Sequence, residues 1–449
     1  MSNLIIFLIG LAIMLVLMMK TKLGPLACML LASLGIGLAC GLGTAKTVST
    51  ITGGFAGTTK SIGLLVIFGT ILGIYLEKSN ACQQIATTLL RWVGKKNSTA
   101  AMAITGFIVA IPVFSDVALV LLSPLVKSVS HKSQKNPCMV GAVTACSLLS
   151  TNAFVAPTPA PLAVCAILGL DVATSILYGL PVALFITVAV WAWGEFILGK
   201  KPDSWYTMLE TEKERLAQAA AEENTDESQW PSFISSLIPI LLPILLILIG
   251  SFGKALLPKK SAALTVLSFL GDKNIALAIG VAAAILLLSG FIPEDKRWAP
   301  MNDALKVAGP IVFITASGGA LAQIVKATGV GTELAKGMAA SPIPVLLIPC
   351  LITGLSKFAQ GSGSVAEIMA AGLALPMCEA GLMTPLDAFL SVSAGASLGS
   401  HVNNSFTWVF SEFMGYDIKT TLKTLCVGQN VVMTLAGIIG MYVVVLLTH

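Results

Sequence analysis

Apolar runs of membrane-spanning length, roughly 20 residues each, recur along most of this 449-residue chain. A bundle of membrane helices is the fold that accommodates them. A soluble fold of this size would need a charged shell, and 22 acids with 27 bases, 11% of the residues, cannot supply one. Mean hydropathy is +0.89. The expected fold class is therefore an all-α polytopic membrane protein, with about 12–14 membrane segments.

The net charge of +5 is then a matter of topology, not of nucleic-acid binding, because Lys and Arg collect in cytoplasmic loops. Lys20, Lys22, Lys200 and Lys201 favour a cytoplasmic first loop and central linker. The nine cysteines lie mostly inside apolar runs with no CxxC pair, so they read as packing residues, not as a metal site or a disulfide framework. Met1-Ser2-Asn3 and the apolar run to Met19 lack a basic leader and a cleavage site, and are expected to stay as the first span. Three histidines, no HExxH, no GxSxG and no Walker lysine motif argue against an enzyme, a cofactor or direct use of ATP.

Charge is also unevenly placed. Lys200 to Gln229 holds eight of the acids and reads as a solvated linker, helical in part around Glu212 to Ala221. It divides the chain into transmembrane halves 1–198 and 232–449, joined by a charged cytoplasmic segment 199–231. Asp272, Asp387 and Asp417, among others, fall in polar or Gly/Pro-bearing connections where their charge stays in water. Asp171 reads as a helix N-cap, and Glu77, Glu195 and Glu412 as interfacial. Asp116 and Glu367 remain, at membrane depth beside interruptions of the apolar pattern, where an acid is costly and marks a functional site. Asp116 has Pro112 before it and Pro124 after it, each expected to break a spanning helix. Glu367 follows Gly361-Ser-Gly-Ser364.

These features occur twice. The order Gly69-Thr-Ile-Leu-Gly73, Lys78, Asp116, Ser150-Thr-Asn152 recurs about 250 residues later as Ala316-Ser-Gly-Gly319, Lys326, Gly361 to Ser364, Ser400-His-Val-Asn-Asn404. Each half thus contains two interrupted segments, near 114–124 and 150–161 in the first and near 357–366 and 399–406 in the second. Paired interruptions in repeated halves, which the fold expectation takes as inverted repeats with broken or re-entrant helices, point to a secondary transporter's binding site. Irregular backbone survives at that depth only where it lines a cavity or is buried in protein. Helix N-termini there offer N–H groups and partial positive charge to an anion.

At these residues the chain resembles the gluconate permease (GntP) family of bacterial organic-acid symporters, which includes gluconate, idonate and D-serine permeases. The resemblance is carried by Phe68-Gly-Thr-Ile-Leu-Gly-Ile-Tyr-Leu-Glu-Lys-Ser79, Phe114-Ser-Asp-Val-Ala-Leu-Val-Leu-Leu-Ser-Pro124, Gln360-Gly-Ser-Gly-Ser-Val-Ala366 and Ser400-His-Val-Asn-Asn-Ser-Phe-Thr-Trp408. It implies a multi-pass protein of the bacterial inner membrane. The chain departs from the family pattern where it has Asn404 for an acid, Asp116 for Glu and Lys357 for Arg. It also has Ala156-Pro-Thr-Pro159 for Pro-Pro-His-Pro, and Glu367 at a commonly neutral position.

The expected function is import of a small hydroxylated carboxylate by proton symport, with sodium coupling or a D-serine-type amino-acid substrate as the alternative. A membrane sensor that binds without flux is a second class. Burial disfavours an ionised Asp116, which with Glu367 is assigned to proton coupling. Substrate contacts are assigned to Asn152, Thr158, Lys357, Gly361, Ser362, Gly363, Ser364, His401, Asn403 and Asn404. The partners implied are the carboxylate, protons (alternatively Na⁺) and the lipid bilayer, with no metal and no nucleic acid; a homo-oligomer is compatible with this reading.

Overall fold

The computed structural model describes residues 3–21, 23–94, 97–112, 114–209, 230–257, 261–330, 343–402 and 404–448. The expected helix around Glu212 to Ala221 and the site residue Asn403 lie outside the described residues. Among those described there is no strand, only an isolated bridge between Met208 and Tyr416.

The helices are α1 (Asn3–Lys20), α2 (Pro25–Ala39), α3 (Thr44–Lys78), α4 (Ala81–Val93), α5 (Ser98–Val109), α6 (Ser115–Ser133), α7 (Pro137–Phe154), α8 (Pro159–Leu168) and α9 (Val172–Phe196). After the linker come α10 (Phe233–Leu256), α11 (Ala262–Leu270), α12 (Lys273–Leu288), α13 (Ala299–Ala327), α14 (Leu347–Gln360), α15 (Gly363–Glu379), α16 (Pro385–Gly395) and α17 (Ser405–Met414). The last, α18 (Ile418–Thr448), contains π-helical turns. Six helical stretches among the described residues are long and apolar enough to cross a membrane. A seventh candidate is α3, whose halves Thr44–Lys60 and Gly63–Lys78 are bent by 42°. Shorter apolar helices, α1, α2, α5, α6 and α14 among them, make up much of the remainder.

Burial sorts these helices into centre and periphery. The stretch Pro137–Leu168, covering α7 and α8, is 89% buried, against 39% for Phe233–Ser251 and 33% for Lys273–Phe291. An apolar helix surrounded by protein is the element that can carry irregular backbone, because its freed polar groups find partners other than lipid. The breaks fall accordingly. Pro112 lies between α5 and α6, Pro157 between α7 and α8, Gly361-Ser362 between α14 and α15, and residues 396–404 between α16 and α17. Gly361 (φ +82°) and Gly399 (φ +85°) take the left-handed backbone that these reversals require. In the order of elements, the interrupted pairs α5–α6 and α7–α8 follow α3, and the interrupted pairs α14–α15 and α16–α17 follow α13.

Two sequence expectations are corrected here. The helix does not break at Pro124, since α6 runs through that position. Proline cannot donate to the Val120 carbonyl, and Ser123 Oγ takes over that acceptor at 2.9 Å. Asp387 does not keep its charge in water either. It is 3% exposed and forms a capping box with Thr384, its carboxylate accepting from the Thr384 N–H at 2.8 Å. Asp171, Asp272 and Asp417 also cap helices, accepting from backbone N–H groups of α9, α12 and α18. Glu195 has a partner at its helix end, the Lys135 ammonium at 2.7 Å.

The α3–α13 pair depends on glycine. A Cβ at Gly54 would lie 2.7 Å from the Gly319 carbonyl oxygen and 2.9 Å from Ala320 Cα, both backbone atoms that cannot swing away. Small residues of this kind let membrane helices approach closely. Gly54→Val is expected to cost about 1–3 kcal/mol by overpacking, read as a lower melting temperature of the purified protein in detergent. Asp171→Ala, which removes a cap on α9, is expected to cost about 1 kcal/mol in the same measurement.

Candidate functional site

Three helix starts meet around one cavity of about 100 Å³. Ser115 and Asp116 come from the first turn of α6, Ser362, Gly363 and Ser364 from the start of α15, and Asn404 and Phe406 from the start of α17. The opposing wall is made by the end of α7 (Leu149, Asn152, Ala153), the residues after α16 (Ala396, Ser397), Lys357 of α14, Glu367 of α15 and Gln429 of α18. Two of the three starts carry a side-chain cap, the Ser362 hydroxyl accepting from Val365 N at 3.4 Å and the Asn404 carbonyl from Phe406 N at 3.0 Å. The N–H groups of Gly363 and Ser364 have no intrahelical acceptor, as at any helix start, and both residues line the cavity.

Charge is concentrated in this cavity. Lys357 is 3% exposed, and its ammonium donates to the Ala396 carbonyl at 2.6 Å and to Gln429 Oε1 at 3.1 Å. The Ala396 carbonyl is free to accept because the α16–α17 break takes it out of a helix. Glu367 is 2% exposed, and its Oε2 has no hydrogen-bond partner. Asn152 Nδ2 and Gln429 Nε2 are likewise buried donors without partners. Unpaired polar atoms of both kinds, gathered on one cavity with a buried cation, suit a ligand that has both oxygen acceptors and hydroxyl donors.

The described residues among those selected from sequence divide into four groups. Asp116, Asn152, Lys357, Ser362, Gly363, Ser364, Glu367 and Asn404 line the cavity together. Thr158 does not reach it; with Asn152 it lines a neighbouring space of about 10 Å³ beside Gly69 and Pro112, and its hydroxyl donates to the Asn152 carbonyl at 3.1 Å. Gly361 forms the turn beneath the α15 start. His401 stands outside the wall, its ring 4.4 Å from that of Phe358 and its Nε2 3.0 Å from the Phe358 carbonyl oxygen. Asp116, in the first turn of α6, is more open to the cavity than Glu367, which is 2% exposed.

Ser115, Ser397 and Gln429 are wall residues that selection by charge and by breaks passes over. Gln429 and Asn430 had a signal: two adjacent amides inside the apolar run from Leu425 to Leu447. The test applied to intramembrane acids, extended to amides, finds them. Their partners show why they are there. Asn430 Oδ1 accepts from Ser400 N at 2.8 Å and its Nδ2 donates to Ser400 O at 2.7 Å, which ties the α16–α17 break to α18.

Comparison with known proteins agrees with this architecture. Residues 2–448 match the GntP family permease. A permease of Haemophilus influenzae is 31% identical, the match covering 96% of this chain and 90% of that protein. The high-affinity gluconate transporter of Escherichia coli is 30% identical, covering 97% of this chain and 98% of that one. Among solved structures, Neisseria gonorrhoeae MtrF shares the fold, with a TM-score of 0.65 at 14% identity over 95% of this chain and 96% of that one. The chain belongs to the GntP family of permeases and is a multi-pass membrane transporter, not an enzyme.

Proposed function

We propose that this permease imports a small hydroxylated carboxylate, a gluconate-like sugar acid, by proton symport. The observation that carries the reading is the cavity at the duplicated breaks, which sets the buried Lys357 ammonium beside a helix start and opposite two acids. The substrate carboxylate binds where positive charge is concentrated, at Lys357 and the N–H groups of Gly363 and Ser364. Ser362, Ser364, Asn152 and Asn404 supply hydrogen-bonding groups for hydroxyls. The relative that transports gluconate supports this substrate class.

Proton coupling follows from the two acids. An ionised carboxylate at the Glu367 position, 2% exposed with one oxygen unpartnered, is expensive. A proton or a hydroxyl donor relieves that cost. Asp116, exposed on the same cavity, is placed to pass a proton between water and the interior. When a proton and a monoanion enter together, the loaded site carries no more net charge than the empty one, so its movement through the membrane is not penalised further.

Proteoliposomes given a pH gradient or a sodium gradient separately, with gluconate, glycerate, other aldonates and D-serine as substrates, test this reading. Accumulation of a sugar acid under the pH gradient alone is expected. Accumulation driven by sodium alone and kept by Asp116→Asn would overturn it. Glu367→Gln is expected to abolish uphill uptake while exchange of labelled for unlabelled substrate persists, since exchange needs no net proton movement. Lys357→Met is expected to raise KM by about 10- to 100-fold, the loss of one charge-assisted hydrogen bond.

A further inference from the structure

We infer that Gln429 reads the carboxylate of the transported acid, donating from Nε2 while its Oε1 holds Lys357 in place. The inference rests on the cavity being the substrate site and names a group of that site which charge and sequence motif do not reveal. Gln429 is fully buried and lines the cavity. Its helix leaves regular α geometry here: Gln429 lies within the π-helical stretch Gly428–Met433, which follows another at Leu422–Cys426. Such turns occur mostly at functional positions.

Chemistry settles which way the amide faces. An ammonium only donates, so the Gln429 atom 3.1 Å from Lys357 Nζ is the oxygen. Ser400 Oγ donates to the same oxygen. Nε2, with two N–H donors, therefore points away from both, and it has no partner. A buried donor without an acceptor is costly, and an acceptor carried by a ligand in the cavity that Gln429 lines relieves that cost. That acceptor is anionic, because the Lys357 charge lies on the same amide and one carboxylate can bridge Nζ and Nε2. The frame behind the amide is rigid. Asn430 grips the Ser400 backbone through both its N–H and its carbonyl.

Gln429→Glu tests this without removing the support of Lys357. One oxygen of the new side chain keeps the Lys357 and Ser400 contacts, the direct ion pair with Lys357 holding the carboxylate charged as no such pair does for Glu367, and the other opposes the substrate carboxylate. Uptake of the labelled acid into proteoliposomes is measured at neutral pH, after the wild type has been shown to transport a carboxylate from the panel. The expected result is a KM raised about 10- to 100-fold, the worth of a charged hydrogen bond, with Vmax per folded transporter little changed. An unchanged KM, or a loss confined to Vmax as a purely structural role would give, overturns the inference and leaves the transport reading standing. A wild type that transports no carboxylate overturns both, and the wild-type arm alone shows it. If Gln429→Glu does not fold, Gln429→Met, of similar shape without the donor, is measured in the same way, with the same rise in KM expected and the same outcomes overturning the inference.

Discussion

The constraint on which this structure depends is that a backbone N–H or carbonyl cannot be left unpaired in hydrocarbon. A chain that interrupts several of its membrane helices must bury those interruptions in protein. Here the most buried stretch, α7–α8, is itself interrupted, and the breaks before α6, α15 and α17 open onto one space beside it. The freed groups then become useful. Helix starts bring unpaired N–H groups to the cavity wall, and the Ala396 carbonyl, released by a break, accepts from the Lys357 ammonium.

Lys357 illustrates how the cost of a buried charge is shared. Its two partners belong to the connection after α16 and to α18, so one cation draws three elements together. Asn430 fixes the same connection through Ser400, so the polar core is a network and not a single pair. Glu367, facing the same cavity, is the less satisfied member. Such imbalance is what the proposed substrate site requires, because a fully paired network would gain nothing from a ligand.

Much of the site was legible in the sequence, for a physical reason. Acids at membrane depth and Gly/Pro-bearing interruptions are local departures from an apolar pattern, and Asp116, Glu367 and the Ser362 to Ser364 turn stood out as such, while Lys357 came from the family resemblance. What misled were features whose effect depends on neighbours. Pro124 reads as a helix breaker until Ser123 is seen to take up the freed carbonyl. Asp387 reads as solvated until its capping box is seen to be buried. Gln429 was passed over because an uncharged amide barely perturbs hydropathy, although its neighbour Asn430 doubles the signal.

By itself, then, the sequence determined the solvent this chain folds in and most of the places where its helices are interrupted. Those follow from composition and from Gly and Pro acting on their own backbone. Only the tertiary structure decided that the α6, α15 and α17 starts converge, that Glu367 is more deeply buried than Asp116, and that His401 lies outside the cavity wall. The reason is distance along the chain. The partners of Lys357 lie 39 and 72 residues away, and no local pattern specifies contacts that form only when whole helices pack.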